Sequence, residues 1–79
     1  MRYESLEAIK AMSKVTEKTL LNASLELNKT PSYISSILSH RSFPRIDTYN
    51  KIANAFGYNL QLVNHETGDI IELEEFKGD

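Results

Sequence analysis

Apolar residues in the first 57 positions recur every three or four residues, which is the spacing of one face of an α-helix. Four such segments predict helices over about residues 4–14, 16 or 19 to 27, 31 to 39 or 40, and 46 or 47 to 56. After Gly57 the apolar positions alternate instead, which predicts two β-strands joined by a glycine-containing turn. The predicted fold is therefore mainly α, with four helices followed by a C-terminal β-hairpin.

Each predicted helix has a stripe of side chains expected to face one shared core. The four stripes are Leu6, Ile9 and Met12; Leu20, Ala23, Ser24 and Leu27; Ile34, Ile37 and Leu38; and Tyr49, Ile52, Ala53 and Phe56. Phe43, between the third and fourth helices, is also predicted to be buried. A chain of 79 residues supports one small domain, so residues 1–57 are assigned to the helical core, 58–76 to the hairpin and 77–79 to a tail. A domain of this size would gain stability from a second subunit.

Residues with strong preferences for helix ends predict several of the boundaries. Thr16 and Thr19 are alternative N-caps of the second helix, and Val15 would pack on Leu20 if Thr16 is the cap. Which threonine caps the helix moves its start by three residues and is left open.

The next boundaries are more specific. Asn28 accepts the left-handed conformation and is predicted to end the second helix. Thr30 and Pro31 are then predicted to be the N-cap and first residue of the third helix. Asp47 is a candidate cap of the fourth helix, and Gly57 is predicted to end it.

The predicted hairpin has one strongly apolar side. If Asn64 pairs with Asp69 at the turn, that side gathers two facing pairs: Leu60 with Leu73, and Leu62 with Ile71. The other side carries Gln61, Val63, Ile70 and Glu72. A two-stranded hairpin is barely stable alone in water, so its leucine side is expected to pack on the helices or on another subunit.

Charge divides the chain into two parts of opposite sign. Residues 1–58 hold eight lysines and arginines and five acids, for a net charge of +3, whereas residues 59–79 hold one lysine and six acids, for −5. The basic part suits a phosphate-bearing partner and the acidic part does not. A chance fluctuation in so short a chain would look similar.

Residues 20–37 resemble the helix-turn-helix of the Xre and lambda-repressor-like family. Ser24 matches the small residue within the first helix of the motif, residues 27–30 match the turn, and Ile34 with Ile37 match the paired aliphatics of the recognition helix. The similarity extends downstream through Pro44, Asp47, Thr48, Ile52, Ala53, Phe56 and Gly57. It covers about residues 15–60, with Asn28 in place of the usual glycine and Lys29 in place of the usual aliphatic. The resemblance implies that the third helix binds in the major groove of DNA.

The outward face of the third helix is almost entirely serine. Helical geometry places Ser32, Ser36 and Ser39 at its centre, with Ser35, Tyr33 and His40 at its flanks. Short hydroxyl side chains let a helix lie deep in the major groove and bond to base edges. A solvated polar face with no partner is the alternative interpretation.

In combination with the resemblance, this face predicts a DNA interface. The base-reading residues are Ser32, Tyr33 and Ser36, and the residues expected to contact the DNA backbone are Lys29, Thr30, Ser35, His40, Arg41 and Arg45. The predicted function is that of a sequence-specific transcriptional regulator, a repressor on a palindromic operator.

A strand directly after the fourth helix resembles HipB-like antitoxins, in which C-terminal strands of two subunits pair. This resemblance implies a homodimer, with Leu60, Leu62, Ile71 and Leu73 in the interface. The alternative function is an antitoxin or inhibitor that binds a protein partner through the acidic hairpin. The acids could equally protect a strand edge from unwanted pairing.

No motif in the chain indicates an enzyme, a cofactor or a metal site. Cysteine is absent, the two histidines lie in different loops, and there is no HExxH, GxSxG or phosphate-binding glycine loop. His65, Glu66 and Asp69 are interpreted as polar turn residues rather than metal ligands. No apolar run has membrane-spanning length and the N-terminal segment carries glutamates, so a cytoplasmic protein is expected.

Overall fold

The computed structural model describes residues 3–74, which form four helices and a two-stranded antiparallel sheet. The elements are α1 (Ser5–Thr16), α2 (Leu20–Glu26), α3 (Tyr33–His40), α4 (Ile46–Ala55), β1 (Gln61–Val63) and β2 (Ile70–Glu72). A mainly helical chain with a C-terminal hairpin is thereby confirmed. The last residues assigned to the hairpin, 75–76, and the tail, 77–79, lie outside the described residues.

All four helices contribute to one apolar core. Its buried members are Leu6, Ile9, Met12, Ala23, Ile34, Ile52, Ala53 and Phe56. Half-buried side chains pack around them, among them Leu20, Leu27, Ile37, Leu38 and Tyr49. The four predicted stripes therefore face the core. Ile9 and Ile52 are fully enclosed, and burying one such side chain stabilises a fold by about 1.5–3 kcal/mol.

Helix α1 is longer than predicted, and this settles the start of α2. It continues through Val15 and Thr16 and ends at Glu17, which adopts the left-handed conformation (φ 57°). The Thr16 hydroxyl donates to the Met12 carbonyl (2.7 Å), so the prediction that Thr16 caps α2 is wrong. Val15 is 70% exposed and does not pack as predicted. The cap is Thr19, whose hydroxyl accepts from the Asn22 N–H (3.0 Å).

The turn between α2 and α3 begins as predicted and ends later. Asn28 has φ 60°, and the N–H of Lys29 donates back to the Ser24 carbonyl (3.1 Å), which closes α2. Thr30 is not the N-cap of α3, because its carbonyl accepts from the Tyr33 N–H (3.0 Å) in an extra turn. That turn places the start of α3 at Tyr33, two residues beyond the predicted position.

Two predictions about the segment before α4 are also wrong. Phe43 is 66% exposed, since residues 42–45 have no regular structure and Pro44 takes the half-buried position. Arg45, not Asp47, is the N-cap residue of α4. Asp47 lies in the first turn, where its carboxylate accepts from the Thr48 N–H (2.9 Å) and suits the positive end of the helix dipole. Gly57 ends the helix with φ 85°, as predicted.

The hairpin has the predicted register. Gln61 pairs with Glu72, Leu62 with Ile71 and Val63 with Ile70, and the Asn64 N–H donates to the Asp69 carbonyl (2.8 Å). All six strand residues are exposed, whereas Leu60 and Leu73 at the base are half-buried. The buried Asn50 of α4 holds this base, because its side-chain oxygen accepts from the Leu60 N–H (3.0 Å).

Candidate nucleic-acid interface

The position of α3 is fixed by one buried serine on α2. The Ser24 side chain is fully buried, donates to the Leu20 carbonyl (2.8 Å) and accepts from the Ile34 N–H (3.1 Å). The Ile34 N–H belongs to the first turn of α3, which has no partner within its own helix. A small hydroxyl side chain here therefore satisfies that group and lets the two helices approach each other closely.

The outward face of α3 consists of hydroxyl groups, as predicted. Ser32, Ser35, Ser36 and Ser39 are all exposed. The Ser35 hydroxyl donates to the Ser32 carbonyl (3.1 Å). Because a net hydrogen bond in water is worth only about 0.5–1.5 kcal/mol, such a bond can be exchanged for one to a ligand.

Ser36 and His40 form a pair one helical turn apart, so His40 belongs to α3 and the prediction that it lies in a loop is wrong. His40 Nδ1 lies 3.3 Å from the Ser36 hydroxyl and 2.9 Å from the Ser36 carbonyl. One imidazole tautomer accepts from the hydroxyl, and the other donates to the carbonyl. The exposed imidazole is thus held along the C-terminal half of α3, beside the serine face.

The Tyr33 side chain lies partly in the core and partly at the surface. Its half-buried ring packs against the core cluster, so less of it is available for contact with DNA than the sequence suggests. The Lys29 ammonium lies 5.5 Å from the ring centroid. A cation–π contact at an exposed site is worth about 0.5–1 kcal/mol, and here it holds a positive charge near the start of α3.

The two arginines predicted to bind phosphate are each next to a carboxylate. Arg41 Nη2 lies 2.9 Å from Glu4 Oε1, and Arg45 Nη2 lies 3.4 Å from Asp47 Oδ2. All four side chains are more than half exposed. Exposed ion pairs of this kind contribute about 0–1 kcal/mol, so a phosphate can replace either carboxylate at little cost.

A polar cleft at the N-terminal end of α3 adds a residue that the sequence did not single out. The cleft, of about 190 Å³, is lined by Leu27, Lys29, Tyr33, Thr48, Lys51 and Ile52. Lys29 and Lys51 come from different elements, and neither is ion-paired within residues 3–74. Two ammonium groups beside a threonine hydroxyl form a suitable place for a phosphate oxygen. The sequence did not indicate Lys51 as a DNA contact, because a lysine on the polar side of an amphipathic helix ordinarily just faces solvent.

The predicted interface residues all lie on α3 and the two segments that flank it. Lys29, Thr30, Ser32, Ser35, Ser36, His40, Arg41 and Arg45 are exposed, and Tyr33 is half-buried. None of the predicted DNA-interface residues lies in the described part of the hairpin. The arrangement offers small hydrogen-bonding groups in the middle and positive charge at both ends.

Tyr49 has the one resolved pKa shift among the described residues, and it serves the fold. Burial raises the pKa of Tyr49 above its usual value of 10.0. Its hydroxyl donates to the Ser5 carbonyl (2.6 Å) and so ties α4 to the start of α1. The shift therefore has a structural cause, on a residue outside the serine face.

Comparison with protein-family models, with curated proteins and with solved structures finds no match for this chain. The resemblance to the helix-turn-helix family therefore stays a prediction made from the sequence. Within residues 3–74 there is no cluster of three or more side chains suited to hold a metal ion. Over the same residues, each helix is too short or too polar to cross a lipid bilayer.

Proposed function

We propose that this chain is a sequence-specific DNA-binding transcriptional regulator, a cytoplasmic repressor that binds a palindromic operator as a homodimer. Its helical part is a lambda-repressor-like helix-turn-helix domain in which α3 is the recognition helix. One observation carries the proposal: α3, held at its first turn by Ser24, presents an exposed row of serines between Lys29 and the two arginines at the other end.

Base recognition in this proposal depends on small hydroxyl groups. Ser32 and Ser36 each have a hydroxyl that donates or accepts at a base edge, and the exposed part of Tyr33 can contact a thymine methyl. Because these side chains are short, the backbone of α3 lies close to the bases. Water bridges and the local shape of DNA then carry part of the specificity.

Contacts with the DNA backbone supply most of the affinity for DNA. Lys29, Arg41 and Arg45 provide full positive charges, and Thr30, Ser35 and His40 provide hydrogen bonds to phosphate oxygens. When Arg41 and Arg45 bind phosphate, they lose their ion pairs with Glu4 and Asp47. Lys51 joins this set through the cleft that it shares with Lys29.

The homodimer in this proposal is based on the spacing of the two half-sites in a palindromic operator. Helix-turn-helix dimers bind two half-sites about 34–36 Å apart, and a two-fold axis between subunits provides this spacing. The exposed hairpin, with Leu62 and Ile71 uncovered, is the surface assigned to self-association.

A second candidate function is supported by the hairpin itself. Glu66, Asp69, Glu72 and Glu74 are exposed there beside uncovered apolar side chains. Such a surface also suits an antitoxin or inhibitor that binds a basic protein. A toxin-like reading frame next to the gene would favour this function, and a binding assay with the product of that frame would test it.

The decisive experiment is a fluorescence-anisotropy titration against DNA from upstream of the chain's own gene, with scrambled DNA as the reference, repeated across salt concentrations. We expect tight binding to the native fragment that weakens steeply with salt. A Tyr33→Ala, Ser36→Glu double variant should lose the preference for the native fragment.

Two variants control for indirect effects. Ser36→Ala removes the hydroxyl without adding charge, and Thr16→Glu adds the same charge at the exposed C-terminal end of α1. Thr16→Glu should bind as the wild type does. Equal weak binding of the wild type to both DNAs would contradict self-repression, and no binding at all would favour the protein-binding function.

A further inference from the structure

A second surface of the helical body is apolar and open. A groove of about 340 Å³ runs between α1, α4 and the segment that leads into β1. Its walls include Ala8, Ala11, Val15, Tyr49, Tyr58 and Leu60. The two alanines give α1 a recessed surface, and Val15 and Tyr58 are 70% and 43% exposed. Open apolar surface of this kind is a candidate site of association.

The hairpin is a second uncovered apolar surface among residues 3–74. Leu62 and Ile71 lie on one side and Val63 and Ile70 on the other, and all four side chains are 55–62% exposed. The hairpin leaves the helical body at Leu60 and Leu73 and is covered on neither side beyond them. Because two strands alone are barely stable in water, a second surface must cover this hairpin.

We infer that the groove of each subunit receives the hairpin of a second copy of this chain. Groove and hairpin occur once per chain, so a two-fold exchange fills both grooves and covers both hairpins in one closed dimer. Leu60 belongs to both features, since it lines the groove and leads into β1. The groove therefore lies at the base of each hairpin, and two hairpins related by a two-fold axis can lie side by side over the two grooves.

Charge disfavours direct pairing of two hairpins through β2. Residues 58–74 contain four acids and no lysine or arginine. Pairing β2 with its own copy would bring Glu72 and Glu74 close to the same acids of the partner, which is destabilising. On α1, by contrast, Lys14 lies one helical turn after Ala11 and directly before Val15, two residues that line the groove. Lys14 has no ion pair within the described residues.

This inference rests on the homodimer of the proposed function, and it does not depend on DNA recognition. It specifies the surface that receives the hairpin. The sequence alone was compatible with packing of the hairpin on its own helices or on another subunit. Charges at the rim then set the orientation of the two subunits more than their affinity.

Disulfide cross-linking tests the arrangement directly, because the chain contains no cysteine. Ala11→Cys marks the groove, and Ile70→Cys or Ile71→Cys marks one or the other side of the hairpin. The Ala11→Cys chain is refolded together with either hairpin variant and oxidised, and disulfide-linked dimers are separated without reductant. Each chain has one thiol, so every cross-link joins two subunits.

We expect at least one of the two hairpin cysteines to cross-link to Ala11→Cys with a yield about tenfold above that of Ser39→Cys, a control on the exposed face of α3. Yields no higher than the control for both hairpin positions would overturn the inference. Efficient linking of Ile70→Cys or Ile71→Cys to its own copy, without linking to the groove, would also overturn it and would favour hairpin pairing.

Sedimentation of a charged groove variant provides an independent measurement. Val15→Glu alters a side chain that is 70% exposed, so the subunit should fold, which circular dichroism verifies. We expect the dimer dissociation constant to rise at least tenfold, whereas Leu25→Glu, at a 48% exposed leucine of α2, should leave it unchanged. Unchanged dimerisation in Val15→Glu would overturn the groove as the docking surface. A wild-type chain that stays monomeric would overturn both this inference and the homodimer, whereas failure to bind DNA would contradict only the proposed DNA recognition.

Discussion

The helical body and the hairpin use the same kind of side chain in opposite ways. Ile52 on α4 is fully buried, whereas Ile71 on β2 is 62% exposed, although each lies in a regular apolar pattern. The difference is in what each element has to pack against. Four helices cover one another's apolar faces, but a two-stranded sheet has no second layer within its own subunit. An apolar pattern therefore specifies an element and its inward side, while the rest of the molecule determines whether that side is covered.

The largest expected effect separates these two isoleucines. Ile52→Ala leaves a cavity in the core and should lower the free energy of unfolding by about 2–5 kcal/mol. Ile71→Ala in a dilute, monomeric sample should lower it by less than about 0.5 kcal/mol, because the side chain is already in water. Urea unfolding of both variants measures this. Similar losses for the two would show that the hairpin is covered within one subunit.

A smaller effect is expected at the contact between α2 and α3. Ser24→Ala removes the hydroxyl that accepts from the Ile34 N–H and should lower the free energy of unfolding by about 1–3 kcal/mol, because that N–H stays buried without a partner. Ser35→Ala, on the exposed face of α3, serves as the matched control and should change stability little. If chemical denaturation shows no difference between the two, the Ser24 hydrogen bond does not position α3.

Two lysines of the helical body provide a further contrast, in DNA binding. Lys51→Ala should weaken binding to native and scrambled DNA by the same factor and reduce the salt slope by about 1, because one phosphate contact is lost. Lys10→Ala, on the exposed side of α1, removes the same charge and should leave the slope unchanged. Anisotropy titrations across salt would contradict the phosphate cleft if both lysines had equal effects.

The smallest effect concerns pH and the contact between α4 and α1. The pKa of Tyr49 is raised by burial, so the folded state favours the neutral phenol. The stability that this group contributes is fully present below its unfolded pKa, near 10, and is lost as the pH rises through the raised value. Wild-type stability should therefore fall more steeply above about pH 10 than that of Tyr49→Phe. Parallel pH profiles from thermal unfolding would show that Tyr49 does not report on this contact.

Much of the fold could be read from local patterns, and the reasons are physical. The stripes on the four helices coincide with the core, because a period of 3.6 leaves one face for burial. Asn28 and Gly57 end helices where the backbone turns left-handed, a conformation they tolerate. The hairpin register follows from the alternation of side chains, since a slip of one residue would exchange the two sides.

The candidate site was predictable only in part. The exposed serines of α3 followed from helical geometry once Ile34 was placed inward. Lys51 in the cleft and Glu4 beside Arg41 did not follow, because each depends on residues far apart in the chain that meet only after folding. The exposure of Phe43 likewise follows from the irregular path of residues 42–45, for which the sequence has no periodic signal.

By itself, then, the sequence determined the local structure of this protein: the helices, the hairpin and the side chains that each turns inward. The tertiary structure alone decided how elements meet. It ended α1 at Glu17 and α3 at Arg41, residues that rarely adopt positive φ, because backbone hydrogen bonds and packing outweigh a local cost of about 1–2 kcal/mol. It also left the groove and the hairpin uncovered. Local patterns depend on neighbours a few residues away, whereas coverage depends on every surface the folded chain can supply.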